Sequence, residues 1–136
     1  MKQTLTLSLI KMVSKSYVEG FYYKPRVDID ELKKYSDGII ALSACLAGDI
    51  SQALMDRNYE KAKNIALQYR DIFGEENYYI EIQDHGLPEQ KEVNAYLTTM
   101  SKKLDIKLVA TNDVHYISRE DAEMQDVLMK KKIGKK

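Results

Sequence analysis

Three times along the chain a short apolar, β-prone run gives way to a segment of helical period, and that alternation narrows the folds open to it. The runs are Gly38–Cys45 (G-I-I-A-L-S-A-C), Asn77–Gln83 (N-Y-Y-I-E-I-Q) and the start of Leu108–Tyr116 (L-V-A-T-N-D-V-H-Y). Near-continuous apolar strands belong to parallel sheets with helices on both faces. The spacing predicts a short helix over Asp49–Met55 and a longer one over Asn58–Phe73, closed by Gly74. The longer helix turns Tyr59, Ala62, Ile65, Ala66, Tyr69 and Ile72 inward. Another begins at Pro88, where a missing N–H is harmless, with Val93, Leu97, Met100 and Leu104 as its stripe. Ser118 then caps a last helix carrying Glu120 and Asp121 in its first turn. The expected class is α/β, with parallel strands alternating with helices.

Ahead of the first strand, Leu5, Leu9, Met12, Val13 and Tyr17 share one helical face, with Lys11 and Lys15 off it and Gly20 ending the helix. The loop Phe21–Val27 (F-Y-Y-K-P-R-V) is aromatic and basic. Such a loop is either packed down by its aromatics, or it offers Lys24 and Arg26 to phosphate while a tyrosine stacks on a base or sugar. Asp28, with Glu31 three residues on, caps a short helix through Tyr35.

At 136 residues the chain reads as a single domain, 1–136, small beside the ~250 residues of a closed βα barrel. Lys plus Arg and Asp plus Glu each number 21, so no net field draws it to nucleic acid or to an anionic membrane. Cys45 stands alone, which excludes an internal disulfide and fits a reducing compartment. Polar residues break the N-terminal run M-K-Q-T-L-T-L-S-L-I-K-M, and no small-residue cleavage site follows it. No segment is long and apolar enough to cross a membrane. A cytoplasmic protein is expected.

In parallel α/β folds the functional loops lie at the carboxyl ends of the strands. The only cysteine and both histidines, His85 and His115, fall at those ends, and Asp84 and Asp113 accompany the histidines. In Asn112–His115 the carboxylate and imidazole stand two residues apart, so along a strand they point the same way. Such oxygen and nitrogen donors suit Zn, Mn or Fe. The same pair also fits an ordinary strand end with a helix-capping aspartate. Cys45 likewise reads either as a small hydrophobe or as a thiolate ligand. A metal or phosphate site on that face is the functional expectation.

Four stretches together resemble one family: Y-V-E-G-F-Y-Y-K-P-R-V-D, A-L-S-A-C-L-A-G, E-I-Q-D-H-G-L-P-E-Q and V-A-T-N-D-V-H-Y. It is the PHP (polymerase and histidinol phosphatase) domain family, as carried by bacterial DNA polymerase III alpha subunits, and the likeness runs from about Ile10 to Met129. The resemblance implies a partial PHP-type barrel, a distorted, TIM-like, seven-stranded βα barrel with a multinuclear metal cluster at its strand ends. It implies that Cys45, Asp113 and His115 are metal ligands and that His85 holds a characteristic family position; Asp84, His85 and Asn112 are expected to line the site. Metals there would activate water and clamp a phosphodiester, and some members use this for 3′–5′ exonuclease proofreading.

The family's N-terminal His-x-His motif has no counterpart here, and the first nine residues match it poorly. An excised or truncated C-terminal half of a PHP domain is therefore expected, with Zn or Mn bound weakly because the ligand set is incomplete. The tail 130–136, K-K-K-I-G-K-K, reads either as a solvated or foreign terminus or as a contact for nucleic acid. No polymerase palm carboxylates are present, so DNA-directed DNA polymerase activity would lie elsewhere in a parent subunit and the isolated fragment would be inactive. Three functions follow: a structural, metal-site portion of a replicative polymerase whose partners are the rest of the alpha subunit, the replicase subunits and DNA; a metal-dependent phosphoesterase or 3′–5′ exonuclease; or a free-standing, non-enzymatic binding module. Three strands would leave two open edges and Ile39, Leu42, Ile80, Ile82, Leu108 and Val109 short of partners, so a homo-oligomer is expected.

Overall fold

The computed structural model describes the backbone of residues 2–133 and the side chains of residues 7–130. The helical-face position at Leu5 and the basic tail beyond Lys130 lie outside those side chains. The elements are α1 (Lys2–Val18), α2 (Ile29–Tyr35), β1 (Ala41–Leu42), α3 (Asp49–Met55), α4 (Tyr59–Phe73), β2 (Tyr78–Ile82), α5 (Pro88–Leu104), β3 (Leu108–Ala110), a 3-10 turn (Arg119–Asp121) and α6 (Ala122–Ile133). The three strands form one parallel sheet in the order β1-β2-β3. Ala41 pairs with Tyr78 on one side of the central strand, and Ile80 pairs with Leu108 on the other.

Successive strand residues point to opposite faces. Tyr78 and Ile80 are buried, and so is Glu81 between them and Gln83, so β2 is covered on both faces. The core gathers Ile50, Ala53 and Leu54 of α3, Ala62 and Ala66 of α4, and Val93, Leu97 and Met100 of α5 around Tyr78, Ile80 and Ile106. The small Ala62 and Ala66 of α4 are fully buried. Ile80 is completely covered as well, which corrects the expectation that it lacks partners; the open positions are at the edges, where Leu42 and Leu108 are exposed.

Helix starts follow local chemistry. Asp28 Oδ1 accepts the N–H of Glu31 at 2.8 Å, and Asn58 accepts that of Lys61 at 3.1 Å. Pro88 occupies the first turn of α5, and Gly74, at φ +89°, closes α4.

Three other expectations are corrected. The face of α1 holding Leu9, Val13 and Tyr17 is exposed; the covered positions are Met12, Lys15 and Ser16. Lys15 turns toward α2, where its ammonium meets Glu31 at 2.8 Å. Tyr59 lies half outside, with its hydroxyl bonded to that of Tyr96 at 2.9 Å.

The first strand is two residues long, not eight. Ser43 N–H still donates to Tyr79 O at 3.0 Å, but beyond it the Ser43 hydroxyl accepts the N–H of Glu81 at 2.9 Å. Ala44 then adopts φ +67°, a left-handed turn that takes the chain out of the sheet.

Candidate metal centre at the strand ends

The loop after β1 carries Cys45, half-buried, at the start of a turn closed by the Gly48 N–H donating to Cys45 O at 2.9 Å. A side chain on Gly48 would meet the Ser43 carbonyl oxygen at 2.5 Å, so this turn packs its backbone as only glycine permits. Gln52 Nε2 of α3 donates to Leu46 O at 2.7 Å and pins the loop from below.

The loop after β2 is polar and built from the strand outward. Glu81 is 8% exposed and meets no cation among the described residues; Gln83 Nε2 donates to its Oε1 at 3.1 Å and the Thr111 hydroxyl donates to the same oxygen. Gln83 Nε2 also reaches Thr111 Oγ1 at 3.2 Å, so the ends of β2 and β3 are joined by side chains. Asp84 folds back to accept the N–H of Gly86 at 2.9 Å, an Asx turn, with Gly86 at φ +78°.

β3 ends at Ala110, well short of Tyr116, and Asp113 sits at φ +49°. The two-residue period of a strand therefore does not align Asp113 with His115. They meet by another route. His115 Nδ1 lies 2.7 Å from the main-chain carbonyl of Asp113, and its distance to Asp113 Oδ1 is 3.9 Å. A carbonyl only accepts, so Nδ1 carries a proton, and in the neutral ring the lone pair lies on Nε2. A ring N–H given to a carbonyl is the arrangement that orients metal-ligating histidines.

His85 is engaged differently. Its Nε2 faces Asn112 O at 2.9 Å, and its Nδ1 faces Gln90 Nε2 at 3.0 Å. Both ring nitrogens are occupied. Asn112 contributes its backbone carbonyl to this contact, and Asp84 serves its own turn.

The donor chemistry of Asp113 and His115 fits a borderline metal such as Zn or Mn. Cys45, beyond the end of β1, lines a small cavity with Glu81, Gln83 and Gln90. Among the described residues no three His, Cys, Asp or Glu side chains stand together as a metal-holding group. The structure brings Asp113 and His115 into contact through the Nδ1 side of the ring. Lys24 and Arg26 lie on the loop between α1 and α2, with Arg26 Cζ 5.5 Å from the Tyr22 ring centroid. That loop is not packed down: Phe21, Tyr22 and Tyr23 are exposed, Phe21 stacking on Tyr17 and Tyr22 meeting Tyr23 edge to face.

Gln90, Thr111 and Ser43 escape sequence reasoning although each fixes a strand-end loop. For Gln90 a signal exists. It is the third residue of a helix opened by Pro88, where a Gln side chain reaches back to an upstream N–H.

The PHP domain model matches residues 2–85. The DNA polymerase III subunit alpha of Treponema pallidum is 47% identical over 122 residues, spanning 90% of this chain and 10% of that protein. Those of Borreliella burgdorferi and Deinococcus radiodurans are 45% and 46% identical over the same length, 10% and 9% of each protein. The chain spans about a tenth of the length of the curated relatives it matches.

Proposed function

Because the chain belongs to the PHP domain family, we propose that it is the PHP-domain portion of a bacterial DNA polymerase III alpha subunit. The observation that carries this is the identity to such subunits sustained over nine-tenths of the chain. In this role the three parallel strands are part of a distorted seven-stranded βα barrel. Nucleotide addition resides elsewhere in the polypeptide, and these residues supply scaffold and part of a metal site. Their partners are the remainder of the subunit, the other replicase subunits and, through the parent, DNA. A replicative role places the protein in the cytoplasm; no helix among the described residues is long and apolar enough to cross a membrane. Sequencing the encoding DNA on both sides tests the assignment: a frame continuous with polymerase catalytic segments is expected, and a short, bounded frame without them overturns it.

Asp113 and His115, with Cys45 as a third donor, would hold the metal. A bound Zn or Mn there supplies Lewis acidity toward a phosphodiester oxygen and an activated water. The chain's own contribution is orientation. The Asp113 carbonyl holds the His115 ring with Nε2 free, and the Glu81–Gln83–Thr111 bonds tie β3 to β2 beneath it. The free Nε2 also favours a second function, a metal-dependent phosphoesterase or 3′–5′ exonuclease of the same family. Hydrolysis of single-stranded DNA with added Mn, abolished by His115→Ala, would establish it; no turnover leaves the scaffold role.

A further inference from the structure

We infer that His85 is a positioning residue: it latches the segment bearing Asp113 and His115 to the β2–α5 turn, and it is not a metal ligand in this arrangement. The functional part of this inference rests on the metal role proposed for Asp113 and His115; the latch does not. Gln90 is 5% exposed at the start of α5 and grips His85 twice. Its Oε1 accepts the His85 backbone N–H at 2.8 Å, which fixes the orientation of the amide, and its Nε2 donates to Nδ1 of the ring at 3.0 Å. Across the gap, Asn112 O lies 2.9 Å from Nε2 of the same ring. Since the carbonyl accepts and the amide NH₂ donates, every group is satisfied only by a neutral ring with its proton on Nε2. The peptide so held joins Asn112 to Asp113, whose φ of +49° is uncommon for a residue with a side chain. Fixing that peptide fixes where the carbonyl of Asp113 presents the His115 ring. The two histidines therefore carry opposite tautomers, Nε2–H at His85 and Nδ1–H at His115.

Long-range 1H–15N correlation on the chelator-treated full chain reads both tautomers directly. Nε2–H at His85 is expected; Nδ1–H, or averaging between the two, overturns the latch. In His85→Phe, an exposed site that tolerates the ring, backbone order parameters over residues 112–116 should fall below about 0.6 while β2 stays near 0.85. Unchanged order there refutes positioning. Gln90→Met, which frees the ring without removing it, should loosen the same segment if His85→Phe folds poorly. Zinc titration separates the two claims. A roughly tenfold weaker affinity in His85→Phe supports positioning of the metal pair, and equal affinity refutes it. If wild type takes up no zinc yet shows the tautomer and the order change, the metal assignment falls and the latch stands.

Discussion

The hydroxyl of Ser43 accepts the backbone N–H of Glu81 at 2.9 Å, a side chain standing where a strand carbonyl would otherwise pair. Ser43 is buried, so water does not replace that acceptor. Ser43→Ala should therefore cost about 1–3 kcal/mol, the penalty of a buried donor left unpaired. Urea unfolding checks this; a loss within experimental error would show that Glu81 N–H finds another partner.

The Ser43 carbonyl, released from the ladder, packs against Gly48. Gly48→Ala would force a Cβ to 2.5 Å from that oxygen. Because the obstacle is backbone, relief requires the Cys45 turn to shift, at about 1–3 kcal/mol. Stability should fall and Cys45 should react faster with a thiol reagent. Unchanged kinetics would mean the turn keeps its conformation.

These two sites mark where sequence patterning stops being informative. α3 was legible to its end residues, and the stripe Val93, Leu97 and Met100 is buried as its period requires. The run Gly38–Cys45 looks like a full strand because periodicity registers apolarity and not backbone pairing; a serine hydroxyl and a left-handed Ala44 end it. The Asp113–His115 pair was visible, but strand geometry is not what joins them. Gln90 carries no apolar signal, so its grip on His85 appears only in three dimensions.

Tyr78 is 1% exposed and its hydroxyl has no partner among the described residues. Burial pushes its ionisation well above the ordinary value of 10.0, with Tyr69 and Asp49 adding to the shift. A raised pKa contributes stability that is fully present below the unfolded value and is lost as pH rises through the folded one. Wild type should therefore weaken above pH ~10, where unfolded tyrosine ionises and Tyr78 resists. Tyr78→Phe removes both the unpaired hydroxyl and this dependence. It should be neutral or stabilising by about 1 kcal/mol at pH 7 and decline less steeply in alkali. A destabilised variant would reveal a partner for the hydroxyl.

Zinc or manganese should bind weakly. Asp113, His115 and Cys45 supply at most three donors, no three of the described His, Cys, Asp or Glu side chains stand together as a metal-holding group, and structural zinc sites close with four. Dialysis against a chelator should strip the metal, and His115→Ala should weaken zinc binding at least tenfold, about 1.4 kcal/mol. Stoichiometric metal surviving the chelator would show that the present ligands suffice.

The sheet edges decide the association state. Among the described residues β1 and β3 each pair on one side only, with β2, and Leu42 and Leu108 along them are 42% and 37% exposed. Unpaired strand edges expose N–H and C=O groups that another chain can pair. Ile40, beside β1, is 64% exposed and adds apolar surface to that edge. The core around Ile80 is closed within the chain, so a folded monomer does not need a partner to cover it. Pairing would instead cover the edges, and burying each half-exposed Leu or Ile gains on the order of 1 kcal/mol. A homodimer or higher oligomer is the expected outcome at micromolar concentration. Leu42→Lys and Leu108→Lys set a charge on each edge, which natural sheets use to prevent pairing. Each is expected to shift sedimentation equilibrium toward monomer without lowering the unfolding midpoint of the monomeric form. Wild type sedimenting as a monomer, with cooperative melting, would show that the two edges are left unpaired.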